Sequence, residues 1–149
     1  MKIHLLYGSQ SGTAEILCDN LMDKVSDRFD CSVSSLDEVD PADLDAETFY
    51  VLVSATYGSG QVPDSAQSFL QTLEDSRPDL SHVRFAIFGL GDRSFGETFN
   101  NGSKMLMTQM LACNAQMVGE RGLHDASSED LPQNVAWPWL KGILDQLSA

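Results

Sequence analysis

Apolar residues in this chain of 149 residues follow two rhythms. Short runs at Ile3–Tyr7, Phe49–Ala55 and Val83–Phe88 have the length and composition of buried strands. Cys31–Leu36 reads as a weaker strand at an edge, and Gln116–Gly119 as a short fifth one. Between these runs the spacing becomes helical. Ile16, Leu17, Leu21, Val25 and Phe29 share one face of a helix over Thr13–Phe29. Phe69, Leu70 and Leu73 do the same over Pro63–Ser76, where the proline suits a first turn. A Met-rich helix runs from Thr98 or Gly102 to Cys113, and a last helix covers about Pro132 to Leu147. Pro138 either sits in the first turn of a helix that starts near Trp137 or interrupts a longer one. Trp137 and Trp139 read as core anchors.

Strands that alternate with helices predict an α/β domain over residues 1–149, with a parallel sheet covered on both faces. Right-handed crossovers leave few topologies for such a sheet, and its ligands bind beyond the carboxyl ends of the strands. Three loops leave those ends: Gly8–Thr13, Thr56–Val62 and Gly89–Asn100. All are rich in glycine, hydroxyls and aromatics.

The first loop reads Tyr7-Gly-Ser-Gln-Ser-Gly-Thr-Ala-Glu15. It runs from a strand into a helix, so backbone N–H groups, the hydroxyls of Ser9, Ser11 and Thr13, and the positive end of a helix dipole converge. No Lys or Arg lies between Ile3 and Asp23. A nucleoside-triphosphatase loop requires a lysine after its second glycine, and a dinucleotide fingerprint requires G-x-G-x-x-G; both patterns fail here. What fits is a single phosphate held by neutral donors. The plainer alternative is a Ser/Thr N-cap on an ordinary helix. The second loop carries Tyr57 before Gly58, and the third carries Phe95 and Phe99. Two aromatic loops across a slot would sandwich a flat ring, unless Phe95 and Phe99 only plug the end of the sheet. The implied ligand is a planar heterocycle on a short chain that ends in one phosphate.

Charge and cysteine content narrow the function classes. Acidic residues number 22 against 9 basic, a net charge of −13, which excludes nucleic acid as a natural partner. Asp37, Glu38, Asp40, Asp43, Asp45 and Glu47 form an acidic run that reads as solvated surface. The charge of the molecule as a whole would steer a basic partner. No apolar run approaches the ~20 residues of a membrane span, and the N-terminus is not a signal peptide. Cys18, Cys31 and Cys113 are odd in number and lack metal spacing; they read as buried thiols of a protein in a reducing cytoplasm, without a zinc site.

With these motifs in order, the chain resembles the short-chain flavodoxin family from end to end. Tyr-Gly-Ser-Gln-Ser-Gly-Thr-Ala-Glu, Thr-Tyr-Gly-Ser-Gly-x-x-Pro-Asp and Phe-Gly-Leu-Gly-Asp-x-Ser-Phe are similar to the FMN domains of diflavin reductases. Without an attached reductase domain, it is similar to free-standing flavodoxins of the MioC type. The resemblance implies a three-layer sandwich around a five-stranded parallel sheet of order 2-1-3-4-5. It implies FMN as cofactor, with Ser9, Gln10, Ser11, Gly12, Thr13 and Ala14 on the phosphate and Tyr57 stacked on the outer face of the ring. Phe95 falls where the family often stacks a tyrosine. Ala55, Thr56, Gly58, Ser59, Leu90, Gly91 and Asp92 would line the ring edges, mostly through backbone groups, and Phe99 and Asn100 would close the far side. The stretch from Leu90 to Asn100 is one residue longer than in the diflavin enzymes. Arg93 is the one cation expected beside the slot, and Gly58 the position of a redox-linked peptide flip.

The activity implied is low-potential, one-electron transfer, with no catalytic residue. The partners implied are a basic-surfaced flavodoxin/ferredoxin-NADP reductase as donor and an acceptor enzyme, both transient, around a monomer. The alternatives are an FMN-dependent NAD(P)H:quinone-type oxidoreductase and a redox-silent receiver domain. A receiver needs an acidic cluster after the first strand, where this chain has Tyr7-Gly8-Ser9.

Overall fold

A computed structural model describes residues 2–8, 12–55, 64–91 and 101–148. Its strands are β1 (Lys2–Gly8), β2 (Asp30–Ser35), β3 (Thr48–Ala55), β4 (Arg84–Gly91), β5 (Gln116–Met117) and β6 (Gly122–Asp125). Its helices are α1 (Thr13–Val25), α2 (Asp64–Ser76), α3 (Asn101–Ala112) and α4 (Pro132–Ser148). Every strand pairing is parallel, in the order β2-β1-β3-β4-β5, with β6 also on β4. The expected 2-1-3-4-5 order therefore holds.

The central strands are buried on both faces, and their side chains alternate between two cores. Phe49, Val51 and Val53 of β3 join Ala86, Phe88 and Leu90 of β4 under α1 and α4. Tyr50 and Leu52 join Phe85 and Ile87 under α2 and α3, where Phe69, Leu70 and Leu73 point inward as the spacing predicts. β2 is the edge strand that the sequence suggested.

Three expectations change. The fifth sheet position is filled by two segments rather than by Gln116–Gly119 alone. β5 pairs with Arg84 and Phe85, the chain leaves the sheet, and β6 rejoins at Phe88–Gly91. Trp139 holds this detour. Its ring lies 5.3 Å from that of Phe88, and its indole N–H donates to the Glu120 carbonyl at 2.8 Å. α1 ends at Val25, not Phe29; a turn closed by the amides of Arg28 and Phe29 on the Val25 carbonyl follows. Ile16 does not face the core. The buried stripe of α1 is Ala14, Leu17, Cys18, Leu21 and Val25, and Ile16 stands beside it, 63% exposed. The last helix, α4, begins at Pro132 as expected, and of the two places left open for Pro138 the structure has the interior of the longer helix. Pro138 has no N–H to give the Asn134 carbonyl, so one helical bond is missing there.

The six acidic residues from Asp37 to Glu47 are all exposed, while Pro41 and Leu44 among them are buried, and the acids organise the local backbone. Glu38 accepts from the Ser35 amide, Asp40 from Ala42, and Asp45 from Glu47 and Thr48. Cys18 and Cys113 are buried and Cys31 is half-buried, all as free thiols. Burial pushes the Cys31 thiol up to about 11 and Cys18 further still, so neither forms a reactive thiolate readily. Among the described residues, no helix is long and apolar enough to cross a membrane.

Candidate functional site

The carboxyl ends of the strands are nearly level. Gly8 lies opposite Ser54, Ala55 opposite Leu90, and Gly91 opposite Asp125. β1, β3 and β4 stop there, where the three predicted loops begin. Gly12, Thr13, Ala14, Ala55, Leu90 and Gly91 are described and stand at this edge. Ser9, Gln10, Ser11, Thr56, Tyr57, Gly58, Ser59, Asp92, Phe95, Phe99 and Asn100 lie outside the described residues, as does Arg93.

Gly12 is the N-cap of α1, with φ +85° and ψ −4°, and as a glycine it brings no capping side chain of its own. The cap position is therefore not the Ser or Thr of the plainer reading. A Cβ on Gly12 would meet nothing within 4 Å, so the need for glycine is the left-handed backbone, not space. The Gly12 carbonyl accepts from the Ile16 amide at 3.0 Å. The amides of Thr13, Ala14 and Glu15 come before the first carbonyl that a helical N–H can reach, and the positive end of the dipole reinforces them. Ala14 is fully buried and its side chain belongs to the core.

The same holds on β4. Leu90 is 5% exposed and its side chain belongs to the core. The Gly91 carbonyl accepts from the Ala126 amide at 2.7 Å, which fixes the last peptide before the third loop. Under Ala55, Ser54 is fully buried, and its hydroxyl donates to the Ala55 carbonyl at 3.0 Å. Burial and the nearby Glu15 and Glu38 carboxylates raise the Tyr7 phenol above its ordinary value, so it stays protonated.

Several residues that shape this edge were not read from the sequence. β6 ends in a turn in which Asp125 accepts from both the amide and the hydroxyl of Ser127, at 2.9 and 2.7 Å. His124, 6% exposed, bonds through Nε2 to the Asp130 carbonyl at 2.7 Å. The signal was the Asp-Ala-Ser-Ser stretch, whose residue types favour such turns. Arg121 donates to the fully buried Ser103 hydroxyl in the first turn of α3, at 2.8 Å. A cation other than Arg93 thus stands beside the helix that follows the third loop.

Residues 5–139 match the family model described as Flavodoxin. The chain is 30% identical over 138 residues to Protein MioC of Escherichia coli strain K12, covering 93% of this chain and 92% of that one. It is 36% identical over 142 residues to human NADPH–cytochrome P450 reductase, covering 91% of this chain but 21% of the reductase. Its fold superposes on a cysteine-to-alanine mutant of flavodoxin from Pseudomonas aeruginosa with a TM-score of 0.86, at 27% identity, over 100% of both chains.

Proposed function

The chain belongs to the flavodoxin family, and from that premise we propose that it carries electrons singly and at low potential, from an NAD(P)H-dependent reductase to an acceptor enzyme. Flavodoxin-type proteins are electron carriers that bind FMN. Bound FMN supplies one-electron redox chemistry; the protein supplies position and field.

The observation that carries this reading is the start of α1. A left-handed glycine cap, a first turn of amides and an absence of Lys and Arg from residues 3 to 23 suit one phosphate held by neutral donors. The level ends of β3 and β4 leave the peptide groups of Ala55, Leu90 and Gly91 to line the edges of a flat ring. The loop residues Thr56–Ser59 and Phe95–Asn100 would complete the slot. Excess acidic charge opposes any further negative charge on a bound group, which favours a low potential. The same charge steers basic partners and makes their association sensitive to salt.

Visible absorption of the protein with added FMN, followed by anaerobic reductive titration, tests the reading. One FMN bound per chain, reduced in two resolved one-electron steps, is expected, with no NADH oxidation by the protein alone. Failure to bind excess FMN, or steady NADH turnover, would overturn it.

A further inference from the structure

Among the described residues, three large hydrophobic side chains are substantially exposed: Ile16 at 63%, Leu131 at 54% and Leu111 at 43%. Leu111 stands alone near the end of α3. Ile16 lines a groove in the seam where the first turns of α1 and α4 meet, and Leu131 directly precedes Pro132, which lines the same groove. Thr13, Ile16, Leu17, Asn20, Pro132 and Gln133 line this groove of about 220 Å3.

Among the described residues, the exposed charges on the first turns of α1 and in the segment that leads into α4 are acidic. Glu15 and Asp19 on α1, and Glu129 and Asp130 ahead of Leu131, are exposed. Lys and Arg are absent from residues 3–23 and 122–140. The nearest cations of these helices are further along them, with Lys24 one turn beyond the groove-lining Asn20 and Lys141 in the middle of α4, and Arg28 lies past the end of α1. Arg28 pairs with Asp145 at 2.9 Å, Lys141 lies 3.4 Å from the same carboxylate, and Lys24 lies over the Trp137 ring. The seam also adjoins the carboxyl edge of the sheet, because α1 starts at Thr13 and α4 follows β6, which is paired with the end of β4.

We propose that this seam is the docking surface for a basic redox protein, which seats an apolar side chain in the groove against Ile16 and Leu131 and places Lys or Arg against Glu129, Asp130 and Asp19. The inference rests on the electron-carrier reading and adds the place of contact. An apolar centre with a charged rim is the usual anatomy of an interface, and charge complementarity sets its on-rate. A second copy of this chain is the poorer occupant, since it would bring an acidic rim against an acidic rim on molecules of net charge −13.

Ferricytochrome c, a basic haem protein, is the probe. Its binding to the FMN-loaded protein is measured by calorimetry across ionic strength, and its anaerobic reduction by stopped flow. I16S/L131S removes apolar surface and no charge. It should raise Kd about tenfold and leave the salt dependence in place. E129Q/D130N should slow association several-fold and flatten the salt dependence, and L111S should change nothing. All variants should keep the flavin spectrum and FMN affinity of the parent protein. Wild-type binding by both seam variants, or equal loss in L111S, overturns the docking site. So does a wild-type dimer in sedimentation that I16S/L131S converts to monomer. The isotherm decides the docking site and the flavin band decides the carrier reading, so either can fail without the other.

Discussion

The two ends of the parallel sheet are built differently. At the amino end, polar groups close on one another. Asp45 ties down the start of β3 through the amides of Glu47 and Thr48, and the Asp45 amide donates to the Tyr50 hydroxyl. His82 bonds to the Leu44 carbonyl, Gln116 donates to that of Ser81, and Arg28 pairs with Asp145. At the carboxyl end, the described residues include a left-handed glycine, helix-start amides, exposed Ile16 and Leu131, and the exposed acids Glu15, Asp19, Glu129 and Asp130. The amino end closes its polar groups on one another, whereas the carboxyl end also leaves apolar and acidic side chains at the surface. Substitutions at the amino end should then lower stability and spare binding, and those at the carboxyl end should spare stability and act on FMN, at the loops, or on the partner, at the seam.

Gly8 should break this division. It ends β1 at the ligand edge, yet a Cβ there would lie 2.8 Å from the Ala66 Cβ and 3.2 Å from Leu36 Cδ1. Gly8→Ala must push α2 away, and overpacking of this kind costs about 1–3 kcal/mol. The denaturation midpoint and FMN affinity should fall together. A loss of affinity alone would mean that α2 yields without cost. Gly12 should obey the division. A β-branched residue in its left-handed conformation costs about 1–2 kcal/mol, while Asn tolerates it better. Gly12→Val should weaken FMN binding about tenfold and Gly12→Asn much less, because binding needs the cap held in that conformation. Equal affinities, measured by quenching of free FMN fluorescence, would show that the cap does not hold the phosphate.

The sequence made the frame legible because burial on both faces writes itself as continuous apolar runs. β3 and β4 were read closely for that reason, and α2 through the spacing of Phe69, Leu70 and Leu73. β6 escaped notice because Gly122-Leu-His-Asp125 has no apolar run; its place is set by pairing with β4 and by Trp139, both remote in sequence. Ile16 was misplaced because periodicity alone does not mark the limit of a stripe, and the residue that broke the rule is one of the two that form the apolar seam. At the site, Gly12 and the strand ends were legible from glycine and from strand order. The Ala126 bond to Gly91 and the Arg121 bond to Ser103 were not, because they depend on how distant segments meet.

At the amino end, Asp45→Ala removes the acceptor of two amide bonds and should cost about 1 kcal/mol at neutral pH. FMN affinity should not change. Desolvation pushes the Asp45 carboxyl up, but the hydroxyl and amide of Thr48, the Glu47 amide and Lys2 outweigh it and hold the carboxyl below its ordinary value. A group whose folded pKa is lowered contributes in full above its unfolded value, about 3.9 for Asp, and loses that contribution as pH falls through the folded one. The gap between wild type and Asp45→Ala should therefore narrow on acidification below that value. A gap constant with pH, in urea titrations, would mean that the carboxylate charge has no part in the turn.

The smallest effect should come from Arg28→Ala. The Arg28–Asp145 pair has half-exposed partners, 40% and 50%, and exposed pairs contribute about 0.2–1 kcal/mol, less in salt. Stability should drop by a few tenths of a kcal/mol at low ionic strength, and the difference should vanish at high salt. The variant still has consequences for the comparison. It leaves the Asp145 carboxylate at the amino end with Lys141 alone among the described residues and makes the molecule more negative as a whole. If cytochrome c is drawn by net charge alone, Arg28→Ala should bind it more tightly. If it docks at the seam between α1 and α4, a charge at the far end of both helices is largely screened at physiological ionic strength, and the isotherm should not move.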